Sequence, residues 1–394
     1  MACASLACVI EMLCEPWWIF NMITGNVKTR AAAEALAIFV QCFVTLTCVL
    51  SSKYQILAFG IGMIAYSTTL LATFVILSER IKLKLSLAPF FENSATVLAF
   101  VFQSIEKMLL TEGAKLVLIA YRSSLLDEVS GVYGLVENLG GIVVRIIFRP
   151  VEEMCALLFS QSIHGVSGKS TQVFQSVCLY TKLMLSIGLF GVCFGSPVCN
   201  IIIAVLYGEK WYFSDAGNTL AAHTLYLVFL AVNGVTEAFT FSTMTASQIQ
   251  VYNLLLFVFS GIFVSCSMYA LRANMGASGL VFSSCLSMSL RIAYSLNFIS
   301  RTFKRSLWQA LKLMFPGWLS LLSLCSSCLV LRLFVSKLCI DCLLALSWPT
   351  KLVRILPLVA CSLVLLITCF LILLWENADL RLELLRRTHK AKKA

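Results

Sequence analysis

Long apolar runs recur along the whole chain and constrain its fold more than any other feature of the sequence. Hydrophobic residues make up 60% of the 394 residues, charged residues make up only 12%, and the mean hydropathy is +0.91. A membrane-spanning helix needs about 20 mostly apolar residues, whereas a spanning β-strand needs segments of alternating hydrophobicity, which this chain lacks. The sequence therefore predicts an all-α, polytopic membrane protein.

These runs predict eleven transmembrane helices. They cover residues 3–23, 31–51, 55–77, 97–121, 129–160, 173–206, 218–242, 250–270, 276–300, 311–333 and 353–375. The fifth and sixth are longer than a bilayer requires. Because Pro150 and Pro197 lie inside these two segments and lack an N–H group, each segment is expected to bend or break at its proline.

A polar segment divides the predicted helices into two lobes. It covers residues 80–96, so a first lobe at 1–79 holds three helices and a second lobe at 97–376 holds eight. A basic tail follows at 377–394. Three plus eight helices fit poorly with transporters built from repeated halves, unless the first lobe is incomplete.

The distribution of lysine and arginine predicts the orientation in the membrane. Fifteen of these residues lie in loops on one side of the predicted helices and six on the other. Basic residues favour cytoplasmic loops, so the richer side, which includes the C-terminal tail, is predicted to be cytosolic. The N-terminus then lies on the far side, which means either that the first helix inserts without a conventional signal or that preceding helices are missing. The net charge of +11 is explained by these loops and their attraction to anionic headgroups, so no nucleic-acid partner is expected.

Residues 131–153 of the fifth predicted helix carry more charge than a lipid-facing helix tolerates. Glu137, Arg145 and Arg149 alone cost about 8–10 kcal/mol near the bilayer centre, whereas the eleven Leu, Ile, Val and Phe residues return about 3–7 kcal/mol. At 100° per residue, the polar residues fall within an arc of about 120°, so one stripe can turn inward while the rest of the helix meets lipid. The stripe comprises Gly134, Glu137, Asn138, Gly141, Arg145, Arg149 and Glu152.

Arg145 and Arg149 are like charges one helical turn apart, which repel unless an anion or a carboxylate lies between them. Their guanidinium groups suit a phosphate or pyrophosphate headgroup. A structural partner such as Glu112 or Glu137 explains the two arginines about as well as a ligand does.

Other charges within the predicted helices have different expected roles. They are Glu11, Glu15, Lys182, Glu237, Arg291 and Arg332. Glu237 is flanked by Asn233 and Thr236 on an otherwise apolar helix, which favours an inward-facing role. Lys182 and Arg332 are expected to extend their long side chains towards the membrane surface.

The sequence lacks the patterns of several enzyme classes. Its histidines, His164, His223 and His389, are too scattered for a metal cluster or a serine-type triad, and no DxD, P-loop or HxxxD pattern occurs. Most of the seventeen cysteines lie in apolar runs, where cysteine packs as a small hydrophobic residue. We therefore expect neither an enzyme nor a bound cofactor or metal.

Motifs spread over nearly the whole chain carry a family resemblance. They are Glu15-Pro16-Trp17 with a basic loop at Lys28 and Arg30, Leu110-Thr111-Glu112-Gly113, Gly131-Val132-Tyr133, Asn138-Leu139-Gly140 with Arg145, Phe148-Arg149-Pro150-Val151-Glu152-Glu153, Asn233-Gly234-Val235-Thr236-Glu237, Phe239-Thr240-Phe241, Tyr252-Asn253 and Arg291-Ile292. Together they resemble the Rft family of endoplasmic-reticulum membrane proteins, a branch of the multidrug/oligosaccharidyl-lipid/polysaccharide exporter superfamily. The likeness loosens after about residue 310.

The resemblance implies a two-lobed flippase fold. Full-length members of the family have fourteen helices with both termini in the cytosol, and the Glu15-Pro16-Trp17 segment belongs to their fourth helix. By this resemblance three helices of the first lobe are missing here, which agrees with the far-side N-terminus predicted from lysine and arginine. The first lobe is then incomplete.

The resemblance also implies a role in moving the dolichol-pyrophosphate-linked five-mannose oligosaccharide from the cytosolic to the lumenal leaflet during N-glycosylation. Expected partners are this glycolipid, membrane lipids and proteins of the glycosylation machinery. The expected headgroup contacts are Arg145, Arg149, Lys28 and Arg30, and the carboxylates that would orient or neutralise them are Glu112, Glu137, Glu152 and Glu237. Two alternatives stay open: a non-transporting accessory protein of dolichol-linked oligosaccharide assembly, and an exporter of small amphipathic solutes.

Overall fold

Helices build both units into which the chain divides, Met1–Ser94 and Ala95–Ala394. The computed structural model describes residues 2–23, 27–51, 55–77, 126–163, 170–338 and 348–381, with isolated positions between 98 and 118. All regular secondary structure in these ranges is helical, which confirms the all-α prediction. The predicted linker at 80–96 lies outside the described residues.

Four helices of the first unit are described. They are α1 (Ala2–Met12), α2 (Glu15–Ile23), α3 (Val27–Leu50) and α4 (Gln55–Leu77). The first predicted span is bent by 42° between α1 and α2. The cause is Pro16, which cannot donate a hydrogen bond to the carbonyl of Met12 and so interrupts the helical ladder. α3 packs along α4 over a core that includes Ala33, Ala37 and Phe74.

Eleven helices of the second unit are described in full. They are α5 (Leu126–Val143), α6 (Arg149–Ile163), α7 (Ser170–Phe190), α8 (Ser196–Tyr207), α9 (Glu209–Tyr212), α10 (Ala216–Thr243), α11 (Ala246–Arg272), α12 (Gly276–Thr302), α13 (Leu307–Met314), α14 (Trp318–Ser336) and α15 (Trp348–Glu376). α10 is central, because it packs against α5, α6, α7, α8 and α12. It contributes Leu220 to one apolar cluster and Val235 to another.

Eight of the described helical segments are long and apolar enough to cross a membrane, and α1 with α2 makes a ninth if the bent pair is one span. These nine correspond to nine of the eleven predicted spans. The predicted span 97–121 lies mostly outside the described residues. The segment 129–160 is helical but is not among the eight, so the total of eleven stays a prediction.

Both long predicted segments contain a π-helical turn just before their proline. The turns cover Val144–Phe148, which precedes Arg149 and Pro150, and Gly191–Gly195, which precedes Ser196 and Pro197. A proline ring clashes with the carbonyl four residues earlier, and the wider π-turn relieves that clash without ending the helix. The predicted distortions therefore occur, as local π-turns.

The predicted tenth span, 311–333, starts too early. Residues Leu307–Met314 form the separate helix α13, and the spanning helix α14 begins only at Trp318. Pro316 and Gly317 separate the two helices. Gly317 has a φ of +98°, a backbone conformation that glycine adopts without strain, so the chain can turn here.

The end of the last helix caps the start of α14. The carboxylate of Glu376 accepts hydrogen bonds from the backbone N–H groups of Leu319 at 3.1 Å and Ser320 at 2.7 Å. The side chain of Asn377 donates to the carbonyl of Pro316 at 2.7 Å and is buried. The first residue of the predicted basic tail at 377–394 is therefore part of the packed structure.

Candidate functional site

The last turns of α10 bury a group of polar side chains: Asn233, Thr236, Glu237 and Thr240. The threonine hydroxyls donate to their own helix, Thr236 to the carbonyl of Val232 at 3.0 Å and Thr240 to the carbonyl of Thr236 at 2.7 Å. An ionised carboxylate cannot be satisfied this way, because the N–H groups of a helix interior already bond to carbonyls. Glu237 therefore needs donors from other side chains.

Arg291 of α12 and Asn233 supply those donors. Nη2 of Arg291 donates to both carboxylate oxygens of Glu237 at 2.7 Å each, and Nδ2 of Asn233 donates to Oε2 at 2.6 Å. The two charged residues are only 8% and 7% exposed. Glu237 is thus inward-facing, as its neighbours predict, but its partner is Arg291 and not the arginines of the charged helix, because α10 packs directly against α12.

Two buried hydroxyl groups lie next to this ion pair. Tyr252 of α11 is fully buried, and its phenol oxygen lies beside the guanidinium of Arg291 and the hydroxyl of Ser295. Its ring stacks on Tyr294 with centroids 4.7 Å apart and meets Phe241 edge-on at 5.3 Å. Neither hydroxyl, nor Nε of Arg291, has a hydrogen bond of acceptable geometry with any described residue. The cluster therefore keeps unused hydrogen-bonding capacity around a neutralised charge pair.

The two arginines of the charged helix have a different environment. Arg145, in the first π-turn, and Arg149, at the start of α6, are both exposed. Nε of Arg145 donates to the carbonyl of Gly141 at 3.1 Å, and no ion pair joins either arginine to another described residue. The buried face of α5 is instead apolar and includes Val132 and Val136. The polar stripe as a whole does not pack into the interior formed by the described helices.

Two carboxylates of the charged helix lie closer to α10. A Cβ atom added at Gly234 would lie 3.2 Å from Oε2 of Glu152. Because Gly234 precedes Glu237 by one helical turn, both carboxylates flank the same part of α10. Glu137 is half-buried and interacts electrostatically with Tyr226 of α10. Of the predicted site residues in the second unit, the structure therefore brings together Glu152 and Glu237.

Of the three other predicted contacts, the structure describes the side chain of Arg30 alone. In the first unit, Arg30 donates to Glu34 at 3.0 Å, and its guanidinium carbon lies 4.8 Å from the ring centroid of Trp18. Lys28 belongs to the first turn of α3, but its side chain is outside the described part of the structure. Glu112 also lies outside the described residues. Roles for these three side chains in headgroup binding stay predictions.

A buried histidine fixes the contact between α5 and α10. A Cβ atom added at Gly140 would overlap the imidazole of His223, so the two helices approach closely only because residue 140 is glycine. The imidazole lies 5.3 Å from the ring of Tyr226. Within the described ranges, no group of three or more His, Cys, Asp and Glu side chains is placed to hold a metal ion. The described contacts of His223, with Gly140 and Tyr226, are packing contacts.

The family can now be assigned by comparison with known proteins. The family model described as "Rft protein" matches residues 1–386. The chain belongs to the Rft family. This confirms the resemblance inferred from the motifs, including those that contain Glu237, Tyr252 and Arg291.

Curated members of the Rft family that resemble this chain are named Man(5)GlcNAc(2)-PP-dolichol translocation protein RFT1. The protein from Xenopus tropicalis is 29% identical over 339 residues, which is 78% of this chain and 62% of the relative. The protein from Saccharomyces cerevisiae is 28% identical over 348 residues, which is 77% of this chain and 60% of the relative. The protein from Mus musculus is 29% identical over 333 residues, which is 76% of this chain and 61% of the relative. The chain thus spans about three fifths of their length. Their names describe translocation proteins and not catalysts. No solved structure matches the chain.

The polar cluster of this Rft chain consists of Asn233, Glu237, Tyr252, Arg291 and Ser295, and only Glu237 of these five is among the predicted site residues. Arg291 and Tyr252 do stand in family motifs, and Arg291 is a charge within a predicted span. Its partner Glu237 is 54 residues away, so no local spacing connects them. The pair could have been suspected only from the general tendency of opposite charges in two apolar helices to pair.

Proposed function

We propose that this chain takes part in moving the dolichol-pyrophosphate-linked five-mannose oligosaccharide from the cytosolic to the lumenal leaflet of the endoplasmic-reticulum membrane, in the pathway of protein N-glycosylation. The observation that carries the proposal is the polar cluster of Glu237, Arg291, Asn233 and Tyr252 inside apolar helices. Ionisable groups within a membrane are costly and mark substrate pathways more often than not. The names of the related proteins support the choice of substrate.

The chemistry of such a substrate suits the side chains of the second unit. Sugar hydroxyls need donors and acceptors, pyrophosphate needs cations, and the dolichol chain needs apolar surroundings. In this proposal the exposed Arg145 and Arg149 attract the pyrophosphate, and Glu137 and Glu152 orient the headgroup. Lys28 and Arg30 would assist at the cytosolic mouth, with Glu112 as a further carboxylate, and the C-terminal tail would lie in the cytosol.

A second candidate is a non-transporting partner of dolichol-linked oligosaccharide assembly. It is favoured by the ion pair in the polar cluster, in which Arg291 already donates hydrogen bonds to Glu237 and not to a ligand. A permanently closed ion pair would stabilise a scaffold without contacting a substrate. The two candidates differ in whether the purified protein alone accelerates movement of the lipid.

Reconstitution tests the proposal directly. The purified chain is inserted into liposomes that contain the labelled glycolipid, and movement is followed by the label that becomes accessible to a glycosidase added outside. Protein-free liposomes are the control. We expect faster movement with the chain present. Rescue of cells that lack their endogenous Rft protein, without acceleration in liposomes, would support the accessory candidate. The absence of both rescue and acceleration would contradict both candidates.

A further inference from the structure

The guanidinium of Arg291 is only partly used by its carboxylate partner. In a bidentate arginine–carboxylate pair, two guanidinium nitrogens each donate to one carboxylate oxygen. Here Nη2 alone contacts both oxygens of Glu237. Nη1 faces the sulfur of Met288 at 3.8 Å, and Nε has no hydrogen-bond partner among the described residues. The phenol oxygen of Tyr252 lies beside the guanidinium without completing a hydrogen bond of acceptable geometry, so the cation keeps capacity for a second acceptor.

The unused hydroxyls around Arg291 can also act as donors. Serine hydroxyls in α12 commonly donate to the carbonyl four residues earlier, as Ser283 does at 3.0 Å and Ser289 at 2.7 Å. Ser295 does not make this bond, although it is fully buried, and neither does the phenol of Tyr252 find an acceptor among the described residues. The two hydroxyls lie beside each other and beside the guanidinium of Arg291, so all three donors converge on one place.

We infer that Arg291, Tyr252 and Ser295 form an oxyanion subsite for a lipid-linked pyrophosphate, and that the carboxylate of Glu237 occupies it when the ligand is absent. A phosphate group offers several oxygens to the three donors, more than a carboxylate does. Asn233 holds Glu237 from its own helix, so the carboxylate keeps a donor when Arg291 turns to a ligand. This inference rests on the proposed function, because it adds a buried site for the pyrophosphate to the exposed arginines that attract it.

The depth of the subsite suits a headgroup. Glu237 lies six residues before the end of α10 at Thr243, and Tyr252 lies six residues after the start of α11 at Ala246. At 1.5 Å per residue, both are roughly 9 Å along the helix from the short loop that joins α10 to α11. A pyrophosphate could reach this depth from the surface while its polyprenyl chain stays among the lipids.

Opposite effects of two neutralising substitutions test the subsite. The purified full chain is titrated in detergent with farnesyl pyrophosphate, and binding is followed by native mass spectrometry. Glu237→Gln removes the competing charge and is expected to tighten binding, whereas Arg291→Gln is expected to weaken it by at least about tenfold, the size of one charge-assisted hydrogen bond. Tyr252→Phe and Ser295→Ala should each weaken binding by a smaller factor. The control Arg332→Gln alters an exposed arginine and should change nothing.

Controls separate binding from folding and from the proposed transport. If Arg291→Gln alone is unstable, the double variant Glu237→Gln/Arg291→Gln takes its place. It has no unpaired charge, so we expect it to fold but not to bind. Inorganic pyrophosphate and dioctanoyl phosphatidic acid distinguish free anions and ordinary phospholipids from a lipid-linked pyrophosphate. Unchanged or weaker binding by a folded Glu237→Gln variant, or full binding by the double variant, would overturn the subsite. Binding without movement in liposomes would overturn the transport proposal alone.

Discussion

Two arginine regions of the second unit deal with charge in opposite ways. Arg291 is buried and neutralised by Glu237 from a neighbouring helix, whereas Arg145 and Arg149 are exposed and form no ion pair with another described residue. All three belong to largely apolar helices. A charge in such a helix is thus either paired with a partner on another helix or left outside the packing of the described helices. Only the first solution ties the fold to the charge.

The largest expected effect is the loss of one partner of the buried pair. Either Arg291→Met or Glu237→Leu leaves the other charge uncompensated, so the free energy of unfolding should fall by about 3–5 kcal/mol. Denaturant titration of the purified protein in detergent, followed by helical circular dichroism, measures this loss.

The matched control is the double variant Glu237→Leu/Arg291→Met. Because it removes both charges at once, its stability should lie close to that of the wild type, as found when buried ion pairs are replaced by apolar residues of similar volume. If the two single losses simply add in the double variant, the pair is not a coupled unit and the contrast with Arg145 and Arg149 fails.

A pair of glycines on α5 tests which face of the charged helix is packed. Gly140→Ala would place a methyl group on the imidazole of His223, whereas Gly134→Ala would meet no atom within 4 Å. We expect Gly140→Ala to lower stability by about 1–3 kcal/mol through overpacking and Gly134→Ala to be neutral or to raise it by less than about 1 kcal/mol through helix propensity. Thermal unfolding of both variants measures the difference. Equal effects would mean that α5 does not pack through this face.

The sequence predicted segments better than pairings. The predicted span 55–77 coincides with α4, because its apolar run has clear ends. The polar stripe was less reliable, since it assumed 100° per residue through Val144–Phe148, where a π-turn changes the phase of the helix. The partner of Glu237 could not be read from the sequence, because it depends on which helices pack together.

Glu376 represents a third way to satisfy a charge, through the N–H groups at a helix start. Glu376→Ala removes the hydrogen bonds to the N–H groups of Leu319 and Ser320, so stability should fall by about 0.5–2 kcal/mol, the range of an N-terminal cap. Asp379→Ala alters an exposed carboxylate three residues later and should have no measurable effect. The midpoints of thermal unfolding compare the two. A loss of equal size in both variants would contradict the capping role.

The smallest effect on stability is expected at the exposed arginines. Arg145→Ala and Arg149→Ala each remove a side chain without an ion-pair partner among the described residues, so stability should change by no more than about 0.5 kcal/mol. If these arginines attract the pyrophosphate, the same substitutions, placed at the matching positions of a full-length relative, should abolish rescue of cells that lack the endogenous protein while expression stays normal. Normal rescue by both variants would remove the headgroup role. A large loss of stability would instead place these arginines with Arg291, as charges that the fold itself requires.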